Sequence, residues 1–339
     1  MHTGWARRAL SSKHALAHTA RHAIGPVFAS GATVIDRPGP FIHFFNGAIV
    51  SPFTELSYTS VDGLRLYARD YPGSGGPARL PVICIHGLTR NCADFEDVAP
   101  WIASLGRRVL TLDVRGRGNS AYDIDPSHYN PMVYAGDVIK LAHDLGIERA
   151  VFVGTSMGGL ITMTLALRRL GLIGAAVLND VGPAISVRGL QRIAGYTGRG
   201  EQLTSWAEAA EYTRGINALA FPSNTAEDWN TWTRRAFSET EPGKLTMRYD
   251  PNIGVPIRAG NIKPSSLIAR YAFRRMARAR PTLLIRGELS DLIEAEQVAL
   301  MRAAAPSMAF AEVPGVGHAP MLTEPAAQAA LREFLGRVD

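Results

Sequence analysis

Two cysteines in 339 residues, Cys84 and Cys92, cannot build a disulfide framework and do not have zinc-ligand spacing. Cys84 sits inside an apolar run and Cys92 at an expected helix start, so both read as packing residues. No apolar run approaches the roughly 18 residues a transmembrane helix requires. Acidic residues are nearly missing from the amino end, where residues 1–54 hold Arg7, Arg8, Lys13, Arg21 and Arg37 against Asp36 alone. That stretch accounts for most of the formal net charge of +6, which leaves the body close to balance. A nucleic-acid-binding face needs basic residues clustered on the folded body, so nucleic acid is not an expected partner. The same stretch has no clean apolar segment behind its basic start, which argues against a secretory signal. A cytoplasmic location is therefore expected. Five of the nine histidines lie in it (His2, His14, His18, His22 and His43) without metal-ligand spacing. Residues 1–54 read as a loosely ordered extension that docks its aromatic segment, Phe41–Val50, on the body. Contact of that segment with a membrane surface is the alternative.

From about residue 55 strand and helix signals alternate. Leu56–Thr59 and Leu64–Tyr71, joined through Asp62-Gly63, read as a hairpin. Pro81–Ile85, Arg108–Asp113, Ala150–Val153, Ala175–Asp180, Pro281–Arg286 and Met308–Val313 read as buried strands. Helices are expected over Asp94–Leu105, Pro131–Leu145, the segment after Ser156, Glu294–Ala304 and Pro325–Gly336. Continuous apolar strands alternating with helices point to a mostly parallel sheet covered on both faces, made mixed by the hairpin at its amino edge. Residues 182–265 break this alternation with helix-like stretches near 186–196, 204–219 and 225–238. They read as a helical cap over the carboxyl edge of a core built from residues 55–181 and 266–339.

Chemistry concentrates in Gly154-Thr-Ser156-Met-Gly158, a G-x-S-x-G pattern between a β-branched run and an apolar helix-length segment. The glycine content makes five residues alone weak evidence. The strand before and the helix after supply the context a nucleophile elbow requires. A serine hydroxyl needs a general base, which in turn needs an orienting acid. His318, in Gly315-Val-Gly317-His318, is the base, because no other histidine follows His143. Asp291, just past a strand end, is the expected acid; Asp180, which also follows a strand, is its rival, and Glu288 is a third candidate. The backbone N–H groups of Leu88, after His86-Gly87, and of Met157 are the expected oxyanion donors. His86 itself reads as a brace for its loop. Asp113-Val-Arg115-Gly116-Arg-Gly118-Asn-Ser120 lacks the GK[ST] of a phosphate loop and reads as a buried bracing network.

Taken together, His86-Gly87, Asp113–Ser120, Gly154–Gly158, Ser290-Asp291 and Gly317-His318 resemble the α/β-hydrolase superfamily over residues 55–337. The resemblance implies a mixed eight-stranded sheet, a helical cap after the sixth strand, and no metal or organic cofactor. It implies hydrolysis of a small carboxylic ester through an acyl-enzyme, with Ser156, Asp291 and His318 catalytic. Serine at position 156 argues against the dehalogenase and epoxide-hydrolase members, which carry aspartate there. Lactone hydrolysis and carbon–carbon hydrolysis of a dienoate are alternatives on the same triad. A ligand-binding receptor on the hydrolase fold is the non-enzymatic alternative.

Overall fold

The computed structural model describes residues 52–199, 202–260 and 263–339, together with the backbone of 32–35, 43–45 and 48–50. The elements preceding the elbow are β1 (Ala32–Ile35), β2 (His43–Phe45), β3 (Ala48–Val50), β4 (Thr54–Thr59), β5 (Arg65–Tyr71), β6 (Val82–Ile85), α1 (Val98–Ser104), β7 (Val109–Asp113), α2 (Pro131–Asp144) and β8 (Ala150–Thr155). The elbow leads into α3 (Met157–Arg168), and β9 (Ile173–Asn179) follows. Next come α4 (Val187–Tyr196), α5 (Trp206–Asn217), α6 (Ala226–Ala236), β10 (Phe237–Glu241), β11 (Lys244–Met247), α7 (Val255–Arg258) and α8 (Leu267–Ala279). The chain ends with β12 (Thr282–Gly287), α9 (Ala295–Ala304), β13 (Ala309–Val313) and α10 (Pro325–Leu335).

Eight body strands form a mixed sheet in the order β4-β5-β7-β6-β8-β9-β12-β13. The pairs β4/β5 and β5/β7 are antiparallel, whereas β6/β7, β6/β8, β8/β9, β9/β12 and β12/β13 are parallel. A ninth strand, β1, adds antiparallel to β4, so part of the amino-terminal extension joins the sheet. β2 and β3 pair as a separate hairpin. The expected docking of the aromatic segment on the body lies outside the described residues.

Burial explains why the strands are uniformly apolar. All four residues of β6 are fully buried, with Ile83 and Ile85 packing on the α2, α3 and α8 side, and Val82 and Cys84 on the α1 and α10 side. Alternation within an apolar run thus serves two cores at once. The β4–β5 turn uses Gly63 at φ +87°, a left-handed conformation that only glycine adopts without strain.

Between β9 and β12 the chain departs from the sheet. Besides the expected helices it contains the β10/β11 hairpin, closed by Pro242 and by Gly243 at φ +72°. The hairpin was not anticipated because its first strand is mostly exposed, with Phe237 as its one buried residue. Its partner buries Leu245 against Ala209 and Ala236 of the neighbouring helices. The insertion is tied to the core by Arg235, whose guanidinium reaches Asp97 at 2.7 Å, and by Asn91, whose Nδ2 donates to the Arg235 carbonyl at 2.8 Å.

Candidate active site

Ser156 stands between β8 and α3 with φ 51° and ψ −112°, a conformation that costs a non-glycine residue strain and turns its side chain out of the sheet edge. The flanking glycines are required by contact. A Cβ on Gly154 would lie 2.5 Å from the backbone of Gly158, and one on Gly158 would lie 2.0 Å from the Ile85 carbonyl oxygen. Gly159 is equally confined, with Val181 at 2.3 Å from the Cβ position. The elbow therefore packs backbone on backbone, which brings the amino end of α3 close to the carboxyl end of β6.

His318 lies between β13 and α10, with Nε2 at 3.0 Å from Ser156 Oγ. Its Nδ1 lies 2.7 Å from Oδ2 of Asp180. Asp180 directly follows β9, is fully buried and has φ 55°. Its Oδ1 accepts from the Gly287 N–H at 3.0 Å, and its Oδ2 also accepts from Ser290 Oγ at 2.6 Å. Three donors converge on one carboxylate, which fixes it as an acceptor toward His318 Nδ1–H and leaves Nε2 to accept from Ser156. Asn179 adds a second tie, donating from Nδ2 to Thr155 Oγ1 at 3.0 Å and to the Pro320 carbonyl at 2.7 Å.

The structure does not bring the expected acid, Asp291, to the imidazole. Both of its carboxylate oxygens are held by Arg192 of α4, Oδ2 by Nε at 2.6 Å and Oδ1 by Nη2 at 2.8 Å. Burial alone would raise the Asp291 carboxyl, but Arg192 holds it below the ordinary carboxylate range. The loop after β12 instead supplies donors, Gly287 and Ser290, to the carboxylate of the adjacent strand. Glu288 accepts from the Gly315 N–H and is not a partner of the imidazole.

A sequence model of the alpha/beta hydrolase family matches residues 82–331. The chain belongs to that family. This hydrolase is 35% identical over 276 residues to the 3-hydroxybutyrate-oligomer hydrolase of Cupriavidus necator, covering 79% of this chain and 93% of that one. It is 26% identical over 238 residues to the 2-(acetamidomethylene)succinate hydrolase of Mesorhizobium japonicum, covering 70% and 81% respectively. A crystal structure of an alpha/beta hydrolase from Novosphingobium aromaticivorans superposes with a TM-score of 0.78 at 40% identity, covering 85% of this chain and all of that one.

Around Ser156, Leu88 and Met157 are both held by one side chain. Arg117, fully buried, donates from Nε to the Leu88 carbonyl at 3.0 Å and from Nη2 to Met157 Sδ at 3.5 Å. Its Nη1 donates to the Arg115 carbonyl at 2.7 Å and to Tyr134 Oη at 3.0 Å. His86 braces the same loop from inside: its Nε2 accepts from the Val114 N–H at 3.0 Å, and Nδ1 lies 2.7 Å from the Gly87 carbonyl. Burial pushes the His86 imidazole down to about 4, so it is neutral at pH 7. Arg117 and Arg192 were not singled out from sequence, since their partners are 29 and 99 residues away.

Asp113 accepts from the Cys92 and Asn119 N–H groups, both at 2.7 Å. A Cβ on Gly118 would fall 2.1 Å from that carboxylate. Among the described residues, Asp62, Asp123 and His128 come close enough together to suit a metal ion. Asp62 and Asp123 instead hold Arg115, which contacts them at 2.8 and 2.7 Å and also contacts Asp137 at 2.7 Å. The motif is a structural brace, as its residue pattern suggested.

Ser156 and His318 open into a cleft lined by Gly87 to Arg90 on the core side and by Tyr196, Asn217 and Trp232 of the insertion. Among the described residues no helix is long and apolar enough to cross a membrane.

Proposed function

We propose that this hydrolase cleaves small carboxylic esters through an acyl-enzyme, with Ser156 as nucleophile, His318 as base and Asp180 as the orienting carboxylate. The observation that carries this reading is the unbroken hydrogen-bond chain from Ser156 through His318 to Asp180 at the mouth of a cleft. His318 takes the Ser156 proton as Oγ adds to the ester carbonyl, and the Leu88 and Met157 N–H groups receive the oxyanion. The tetrahedral intermediate collapses with breakage of the bond to the alkoxy oxygen, and His318 Nε2–H protonates that oxygen. Water then repeats the sequence on the acyl-enzyme, releasing the acid and restoring Ser156. Asp180 keeps Nδ1 protonated and stabilises the imidazolium throughout. Residues 182–265 serve as the cap between core segments 55–181 and 266–339, and their side chains shape the substrate space. The Cupriavidus relative, whose name specifies an oligomer of 3-hydroxybutyrate, supports an ester as the substrate.

Wild-type protein is expected to hydrolyse p-nitrophenyl esters and to be labelled at Ser156 by a fluorophosphonate. Ser156→Ala is expected to lose at least about a thousandfold in kcat with its circular dichroism spectrum unchanged. Undiminished turnover in a folded Ser156→Ala protein would overturn the proposal.

A further inference from the structure

We infer that this hydrolase selects esters by opposite polarity on the two sides of the carbonyl, taking an apolar acyl chain and releasing a polar alcohol. The inference rests on the acyl-transfer reading above and specifies its substrate class.

Two cavities meet at Ser156. One is the cleft already described, which includes His318 and mixes apolar walls with Arg90, Tyr196 and Asn217. The other lies away from His318 and is lined by Leu160, Ile185, Leu190, Ile253, Ile257 and Leu292, together with Tyr129 and Tyr134. Both tyrosine hydroxyls already have partners inside the protein. Tyr129 donates to Asp250 and accepts from the Asp123 N–H at 2.8 Å, and Tyr134 accepts from Arg117. Apart from Ser156 and these two tyrosines, no side chain of that wall carries an oxygen or nitrogen. A polar substituent placed against those aliphatic side chains would lose its water without gaining a partner, whereas an alkyl chain would gain by burial.

The chemistry decides which half of the ester enters which cavity. The bond that breaks joins the carbonyl carbon to the alkoxy oxygen, and that oxygen must receive the proton carried by His318 Nε2. The alkoxy half therefore lies on the His318 side, in the mixed cleft. There Arg90 is held in a bidentate pair with Asp94 at 2.8 and 2.7 Å, so the wall offers hydrogen-bonding capacity without a net charge. The acyl half, which stays on Ser156 after the alcohol leaves, extends into the aliphatic cavity.

Two isomeric esters test the assignment directly: the monohexanoyl ester of glycerol and the hexyl ester of glyceric acid share one molecular formula and exchange the polar and apolar halves. A fully buried methylene is worth roughly fourfold in kcat/KM, so wild-type enzyme is expected to favour the hexanoyl ester by at least about tenfold in a pH-stat assay. Leu190→Trp, which fills the aliphatic cavity, is expected to lower the hexanoyl-to-acetyl ratio on p-nitrophenyl esters by at least about tenfold. The isomer comparison needs only wild type and stands even if that variant does not fold. Equal or reversed rates on the two isomers, or an unchanged chain-length ratio in folded Leu190→Trp, overturn the inference while Ser156 labelling by diisopropyl fluorophosphate keeps the acyl-transfer reading intact. Failure of that labelling in wild type overturns both.

Discussion

Arg192 grips Asp291 through two parallel hydrogen bonds, Nε to Oδ2 at 2.6 Å and Nη2 to Oδ1 at 2.8 Å. The pair fastens inserted helix α4 to the loop after β12 and commits both oxygens of that loop's aspartate. Close packing reinforces the joint, since a Cβ on Gly189 of α4 would lie 2.6 Å from the Asp291 carbonyl oxygen. His318 is met instead from β9, one strand nearer Ser156, by a carboxylate that the same loop orients through Gly287 and Ser290.

Asp180→Asn and Asp291→Asn are therefore expected to diverge. Asn at 180 cannot hold the imidazole in the tautomer that accepts from Ser156, and kcat is expected to fall by about 10⁴-fold. Asn at 291 disturbs a mostly buried ion pair that does not touch His318, so kcat on a small ester is expected to stay close to wild type even if stability falls. Steady-state kinetics on both variants decides the matter, and the reverse ranking would restore Asp291 as the acid.

Local pattern revealed much of this. The fully buried run of β6 reads as a two-faced parallel strand, and Gly154–Gly158 reads as an elbow because strand, glycine and helix signals coincide. His318 follows by elimination. The choice between Asp180 and Asp291 was not local, because both follow strand ends. It turns on the positive φ of Asp180 and on Arg192, 99 residues from Asp291. Helix α8 passed unnoticed among its arginines, although Ala272, Phe273, Met276 and Ala277 mark a buried face at helical spacing.

Arg117 is expected to act on the oxyanion through Leu88 and Met157. In Arg117→Met the Leu88 and Arg115 carbonyls and the Tyr134 hydroxyl lose a buried donor, each at a cost of about 1–3 kcal/mol. The folded fraction is expected to show a lower kcat at similar KM and weaker binding of a boronic-acid transition-state analogue. A loss of thermal stability with unchanged kcat and analogue affinity would reduce Arg117 to a structural role.

Gly158→Ala tests the closeness of α3 and β6. Its Cβ would sit 2.0 Å from the Ile85 carbonyl oxygen, which belongs to backbone and has little room to yield. A destabilisation of about 3 kcal/mol or more is expected, lowering Tm by roughly 4 °C or more. Gly171→Ala, where the added Cβ meets nothing within 4 Å, is the matched control and is expected to be neutral in the same melt.

His86 makes stability depend on acidity in a defined direction. Burial lowers its pKa from 6.5 to about 4, against only partial compensation from Asp113 and the Gly87 carbonyl. Above pH 6.5 neither the folded nor the unfolded chain holds a proton on this ring. Between 6.5 and about 4 the unfolded chain binds one more proton than the folded chain, so stability falls as pH falls through that window. The lost contribution reaches about 3 kcal/mol near pH 4 and does not grow below it. His86→Gln lacks the titrating ring and is expected to be less stable at neutral pH, because the Gly87 contact is lost. It is also expected to show a shallower decline in Tm between pH 7 and 4.5 than wild type in differential scanning fluorimetry. Parallel declines in the two proteins would assign the acid sensitivity to other groups.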